Sequence, residues 1–98
     1  MPAIYTRIGQ PVVGKQTDAY KFAVQRAEAI KQTLGLDQDV FLRVGGGVGQ
    51  VISVSRHDTL ADVVAAKEQV MRATIDGKLP TAPEGVFAEV NESLWMQP

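Results

Sequence analysis

The 98-residue sequence has no cysteine, one histidine and one tryptophan. Without cysteine there is no disulfide framework, no thiolate zinc site, no cluster ligation and no thiol nucleophile. A single imidazole removes most metal and triad constellations as well, so neither a metal nor a cofactor is expected. Charge of one sign is also missing: ten Lys or Arg face eleven Asp or Glu, a formal net charge of −1. A dedicated nucleic-acid binder would show a basic face, so no nucleic-acid partner is expected. Long hydrophobic runs are absent too. The uncharged stretch 44–55 is rich in glycine and far short of the ~20 apolar residues that a membrane-spanning helix needs. Residues 1–9 carry one charge, Arg7, and no extended apolar segment, which speaks against a secretory leader. A cytoplasmic protein with no membrane partner is the expectation.

What remains is an ordinary globular composition, 45% apolar, of a length that fits one domain over residues 1–98. A chain this short buries only ~60–65% of its unfolded surface, so a partner subunit would add stability. Residues 3–8 alternate β-branched and aromatic side chains, with Ile4, Thr6 and Ile8 on one face, and predict a strand ending near Gly9. A helix is expected from Thr17 or Asp18, either of which can cap it, to Gly35. Its inner stripe reads Tyr20, Ala23, Val24, Ala27, Ile30 and Leu34, with Phe22 off the stripe as a flanking core residue or a contact to a second subunit. Residues 40–44 and 51–55 predict two strands joined by a turn at residues 45–49. Apolar residues on both parities, Val40 beside Phe41 and Val51 beside Ile52, imply that both faces of this hairpin are covered.

Thr59 and Asp62 stand three apart, as in a capping box, and open a second helix that Gly77 closes. Its predicted inner side is Leu60, Val63, Val64, Lys67, Val70, Met71 and Ile75, the Lys67 stem lying along apolar surface. Residues 79–85 read as an irregular connection. Thr81 and Pro83 then predict a short helix with Val86, Phe87 and Val90 inward, forming a lid over one end of the core. Residues 92–97 predict a closing strand. Strand, helix, strand, strand, helix, strand is the βαββαβ order of a ferredoxin-like α+β fold, a four-stranded antiparallel sheet with both helices on one face. An uncovered apolar sheet face would mark an association surface.

Three segments carry a resemblance. Val12-Val13-Gly14-Lys15 resembles the turn before the first helix of small dimeric α+β barrel proteins, with Val12-Val13 where that family has a polar residue and Pro. Ile52-Ser53-Val54-Ser55-Arg56-His57-Asp58-Thr59-Leu60-Ala61-Asp62 resembles their third strand running into the capped second helix. Asn91-Glu92-Ser93-Leu94-Trp95-Met96-Gln97-Pro98 is similar to their closing strand. The likeness is to the NIPSNAP-like branch, with the antibiotic-biosynthesis monooxygenases as relatives. It implies a homodimer whose two sheets pack face to face as a barrel. Among proteins of this kind are cofactor-free oxygenases, isomerases, haem-binding enzymes and many without an assigned activity, so fold alone does not choose a reaction. Haem-degrading relatives pair a His on the second helix with an Asn and a Trp. His57 precedes that helix, so those roles are not carried over to Asn91 and Trp95.

The glycine run Gly45-Gly46-Gly47-Val48-Gly49 suggests a phosphate loop, but a strand follows it rather than a helix and no Lys-Ser or Lys-Thr pair is present, which favours a plain turn. His57, flanked by Arg56 and Asp58, is the candidate catalytic base; the bland alternative is a surface or packing residue at a helix start. Tyr5, Tyr20, Arg43 and Trp95 have polar tips on apolar bodies and, with His57 and Phe87, form the candidate ligand pocket. The alternative for Tyr20 and Trp95 is a role as core or interface anchors. Met71 and Met96 read as core fillers. The resulting expectation is a homodimeric α+β barrel protein that binds a small apolar or aromatic molecule. Its alternatives are a cofactor-independent monooxygenase or isomerase, and a structural interaction module.

Overall fold

Alternation of Ile4, Thr6 and Ile8 with Tyr5, Arg7 and Gly9 makes β1 (Ala3–Pro11), and the strand does not stop at Gly9. A computed structural model of the chain describes residues 1–44 and 49–98. After β1 come α1 (Gln16–Leu34), β2 (Asp39–Leu42), β3 (Val51–His57), α2 (Leu60–Ile75) and β4 (Phe87–Met96). The order is the expected βαββαβ, and the four strands form an antiparallel sheet in the order β2-β3-β1-β4. The molecule measures 38 × 33 × 18 Å between Cα extremes. Its least dimension leaves room for one helical layer on the sheet, about 10 Å away, and none on the other side.

Local signals set the element ends, with some corrections. The turn before α1 is closed by Lys15 N–H donating to the Val12 carbonyl at 2.9 Å. Helix α1 starts at Gln16 behind Lys15 with no side-chain cap, so neither Thr17 nor Asp18 caps it; Asp18 sits in the first turn, where a negative charge favours the helix dipole. Gly35 ends it in the left-handed conformation, its N–H on the Lys31 carbonyl. In α2 the Thr59 hydroxyl accepts from the Asp62 N–H at 3.1 Å, as the motif predicts. The other end is a Schellman motif, with Gly77 N–H on the Thr74 carbonyl and Lys78 N–H on the Ala73 carbonyl. Strand β2 is shorter than expected, and Val44 lies beyond it, exposed. The turn expected at residues 45–49 falls, apart from Gly49, outside the described residues.

The predicted helix and lid around residues 81–90 are not formed. Residues 87–90 belong to β4, which pairs with β1 from Ala3↔Met96 to Pro11↔Phe87 across an irregularity at Gln10/Pro11. Pairing with β1 overrides the local helical pattern, because strand hydrogen bonds satisfy the backbone along the whole segment. Phe87 does point inward: its ring meets Phe22 edge-on, centroids 6.0 Å apart.

Cross-strand partners share a sheet face, so the register decides what the helices cover. Tyr5 stands opposite Ser55 and Leu94, Arg7 opposite Ser53 and Glu92, and Gly9 opposite Val51 and Val90. This more polar face lies under the helices. The apolar face of β1 and β3, with Ile4, Ile8, Ile52 and Val54, points the other way and is joined there by Phe41 and Trp95. Beneath the helices the core is divided. One cluster comprises Ala19, Ala23, Val51 and Val86 with Val40 and Phe87 against it; the other comprises Ile30, Ala73 and Leu79 with Leu34, Leu36 and Val70.

Candidate functional site

Space is left between the helices and this polar sheet face. A cavity of about 440 Å³ is lined by β1, β3 and β4 below and by both helices above. Its walls are apolar, among them Phe22, Val63, Val70, Met71, Phe87 and Val90, and residues 80–82 close one side. Its charged lining residues are Arg7, Arg26, Lys67 and Glu92, three cations and one anion in a chain whose net charge is −1.

Each charge arrives by simple periodicity. Arg7 and Tyr5 are two apart on β1. Arg26 falls on the inner stripe of α1, three or four residues from Phe22, Ala23 and Ile30. The stripe is turned slightly from the expected one: Ala19, Ala23 and Ile30 are the buried residues, and Tyr20 is exposed. On α2, Lys67 faces inward beside Val63, Val70 and the buried Ala73, whereas Val64, Met71 and Ile75 are exposed, the last two at the cavity margin.

Lys67 Nζ donates to Glu92 Oε2 at 2.9 Å and lies 5.2 Å from the centre of the Tyr5 ring. Hydrogen bonds from the Tyr5 phenol and from Lys67 hold the Glu92 carboxyl below its ordinary range. Burial, then the neighbouring Glu92 carboxylate, hold the Tyr5 phenol far above its ordinary range, so Tyr5 remains a hydroxyl donor. Arg7 Nη1 is 3.9 Å from Glu92 Oε1, a loose ion pair. Burial, and next the charge of Arg7, make the Arg26 guanidinium a weaker base than usual. At the margin, His57 Nε2 and Ser55 Oγ are 2.9 Å apart, and both residues line the cavity.

No protein-family model and no curated protein sequence matches the chain. Solved structures do match it. A NIPSNAP family protein from Agrobacterium tumefaciens aligns with a TM-score of 0.70 at 16% identity, over 100% of this chain and 94% of its own. An uncharacterized NIPSNAP domain protein from Burkholderia xenovorans aligns with a TM-score of 0.77 at 11% identity, over 98% and 94%. The fold is NIPSNAP-like. A candidate antibiotic biosynthesis monooxygenase from Nitrosomonas europaea shares it at lower similarity, with a TM-score of 0.61, 13% identity and 97% of each chain aligned. The expected ferredoxin-like α+β architecture is therefore present, and at these identities the likeness extends to the fold alone.

Within this NIPSNAP-like frame the sequence-predicted site residues divide. Tyr5, His57 and Phe87 line the cavity; Tyr20, Arg43 and Trp95 do not. Arg43 is just past β2, its Nη1 donating to Gln50 Oε1 at 2.9 Å. Trp95 is on the open sheet face, its indole N–H directed at Thr6 Oγ1 at 3.4 Å. The register reverses Trp95 relative to Tyr5, because Trp95 pairs with Ile4. The sequence reading places Lys67 on the inner side of α2 without a role at the site, and it does not single out Arg7, Arg26 or Glu92. The available signal was a charge at a period-2 or helical position on an otherwise inward face, and reading it requires knowing which face is inward.

Proposed function

We propose that this protein is a homodimer that binds a small apolar or aromatic molecule in the cavity between its helices and its sheet. The carrying observation is the cavity, whose volume of about 440 Å³ falls within the ~300–1,000 Å³ usual for ligand sites. Apolar walls around a few convergent polar groups are the usual make-up of such sites. The dimer is supported by the reversed sheet: Ile4, Phe41 and Trp95 are exposed on a face that none of the described elements covers. A second copy would cover that face and shield the long β4 edge, as the resemblance to dimeric barrels also implies.

Titration with N-phenyl-1-naphthylamine, an uncharged fluorescent probe, tests the reading. Saturable enhancement at one site per chain is expected, and Ala66→Trp, which fills the cavity, should abolish it. Equal binding by that variant would put the probe elsewhere and defeat the reading.

A second reading, cofactor-independent oxygenase or isomerase chemistry, is favoured by the contact of His57 with Ser55 at the same cavity. An imidazole held by a serine hydroxyl can take a proton from a bound substrate. Turnover abolished by His57→Gln with binding retained would support it; binding without turnover would leave a carrier.

A further inference from the structure

The cavity's charges do not cancel. Glu92 is taken up by Lys67 at 2.9 Å and stands 3.9 Å from Arg7. Among the described residues, Arg26 is within ion-pair distance of no carboxylate. Two guanidinium groups thus line an apolar enclosure with one loose ion pair between them. Both side chains are half-buried, and two like charges held at one cavity wall repel unless a counter-charge is shared between them. An arginine fork matches a carboxylate in shape, donating two parallel hydrogen bonds.

We propose that the ligand of this cavity is an apolar carboxylic acid, its carboxylate received by Arg7 and Arg26 and its apolar body lying against Phe22, Phe87 and Val90. This rests on the reading of the cavity as a ligand site and adds the chemical class of the ligand. The weakened basicity of Arg26, caused by burial and by Arg7, is the sign of a site with unmet positive charge. The negative charge of a carboxylate would offset both effects. Glu92 offsets them only in part: its tight contact is with Lys67 at 2.9 Å, and Arg7 stands 3.9 Å away.

The test compares two probes of equal size, 2-naphthoate and uncharged 2-naphthamide, by calorimetry and by the amide shifts of Ser53, Ala66 and Val90. The native protein should prefer naphthoate by about tenfold at low salt, with the preference shrinking as salt rises. Arg26→Gln should remove the preference while leaving the naphthamide affinity within about twofold, and Arg7→Gln should reduce it; tenfold corresponds to about 1.4 kcal/mol. Equal affinity for both probes, with the cavity amides shifting, would overturn the carboxylate assignment and leave the ligand site intact. A preference that survives Arg26→Gln would overturn the role of Arg26. If neither probe shifts those amides, the ligand-site reading falls and this inference with it. The salt dependence on native protein decides the charge preference even if a variant fails to fold.

Discussion

The ring of Phe87 lies directly on the backbone of Gly9: a β-carbon at Gly9 would stand 2.6 Å from the ring's Cε1. Glycine at this position is not a strand breaker, because β1 continues to Pro11 and pairs with β4 beyond it. It is the gap through which an aromatic ring from β4 reaches under α1 to meet Phe22. Phe87 therefore both packs against the Ala19–Ala23–Val51–Val86 cluster and forms a wall of the cavity.

Gly9→Ala should displace that ring into the cavity. The expected outcome is a loss of roughly 1–3 kcal/mol, the usual cost of overpacking, together with weaker binding of N-phenyl-1-naphthylamine. Urea titration and fluorescence check the two halves. Unchanged values in both would mean that the ring does not occupy this position.

Phe87→Ala should cost roughly 2–4 kcal/mol in urea titration, toward the lower end because empty space already adjoins the ring. A loss below about 0.5 kcal/mol, the usual range for a surface substitution that touches no packed feature, would contradict the packing described.

Ile52→Asp places a charge in the middle of the open sheet face, beside Ile8 and Phe41 in the register. Light scattering should report a dimer for the native chain and a monomer for the variant, with circular dichroism of the helices retained. An unpaired charge buried at an interface costs several kcal/mol, on the order of 3–5. A native monomer at micromolar concentration would refute the dimer.

Acid should destabilise the protein partly through Glu92. Its folded-state affinity for a proton is depressed by Tyr5 and Lys67, so the unfolded chain binds the proton more readily. The stability this confers is present above the ordinary value of 4.5 and is lost as pH falls through the lower folded-state value. Glu92→Gln should flatten the melting-temperature profile in that acidic window. A profile identical to that of the native protein would remove Glu92 from the network.

Thr59→Ala should cost about 1 kcal/mol by removing the hydroxyl that accepts from Asp62 N–H. Thr17→Ala should cost far less, since α1 has no side-chain cap. Thermal melts of the two variants give the comparison directly.

Local chemistry explains why so much of the architecture was legible. The alternation in β1, the Thr59 cap, the left-handed Gly35 and the Gly77 helix end depend on neighbours in sequence, and each forms as the residues dictate. Their order was enough to settle the ferredoxin-like topology. Residues 87–90 show the limit: spaced like a helix and preceded by prolines, they become strand because β1 offers them a ladder from a distant part of the chain.

The same limit governs the candidate site. The sequence alone specifies that β1 has an apolar face, Ile4 and Ile8, and a polar one, Tyr5 and Arg7. Only the tertiary structure decides which face the helices cover, and they cover the polar one. Period-2 alternation separates two faces without saying which is inside, since that depends on where α1 and α2 land and on what covers the opposite side. Arg26, Lys67 and Glu92 come together at Arg7 for that reason, from three elements that no local pattern connects.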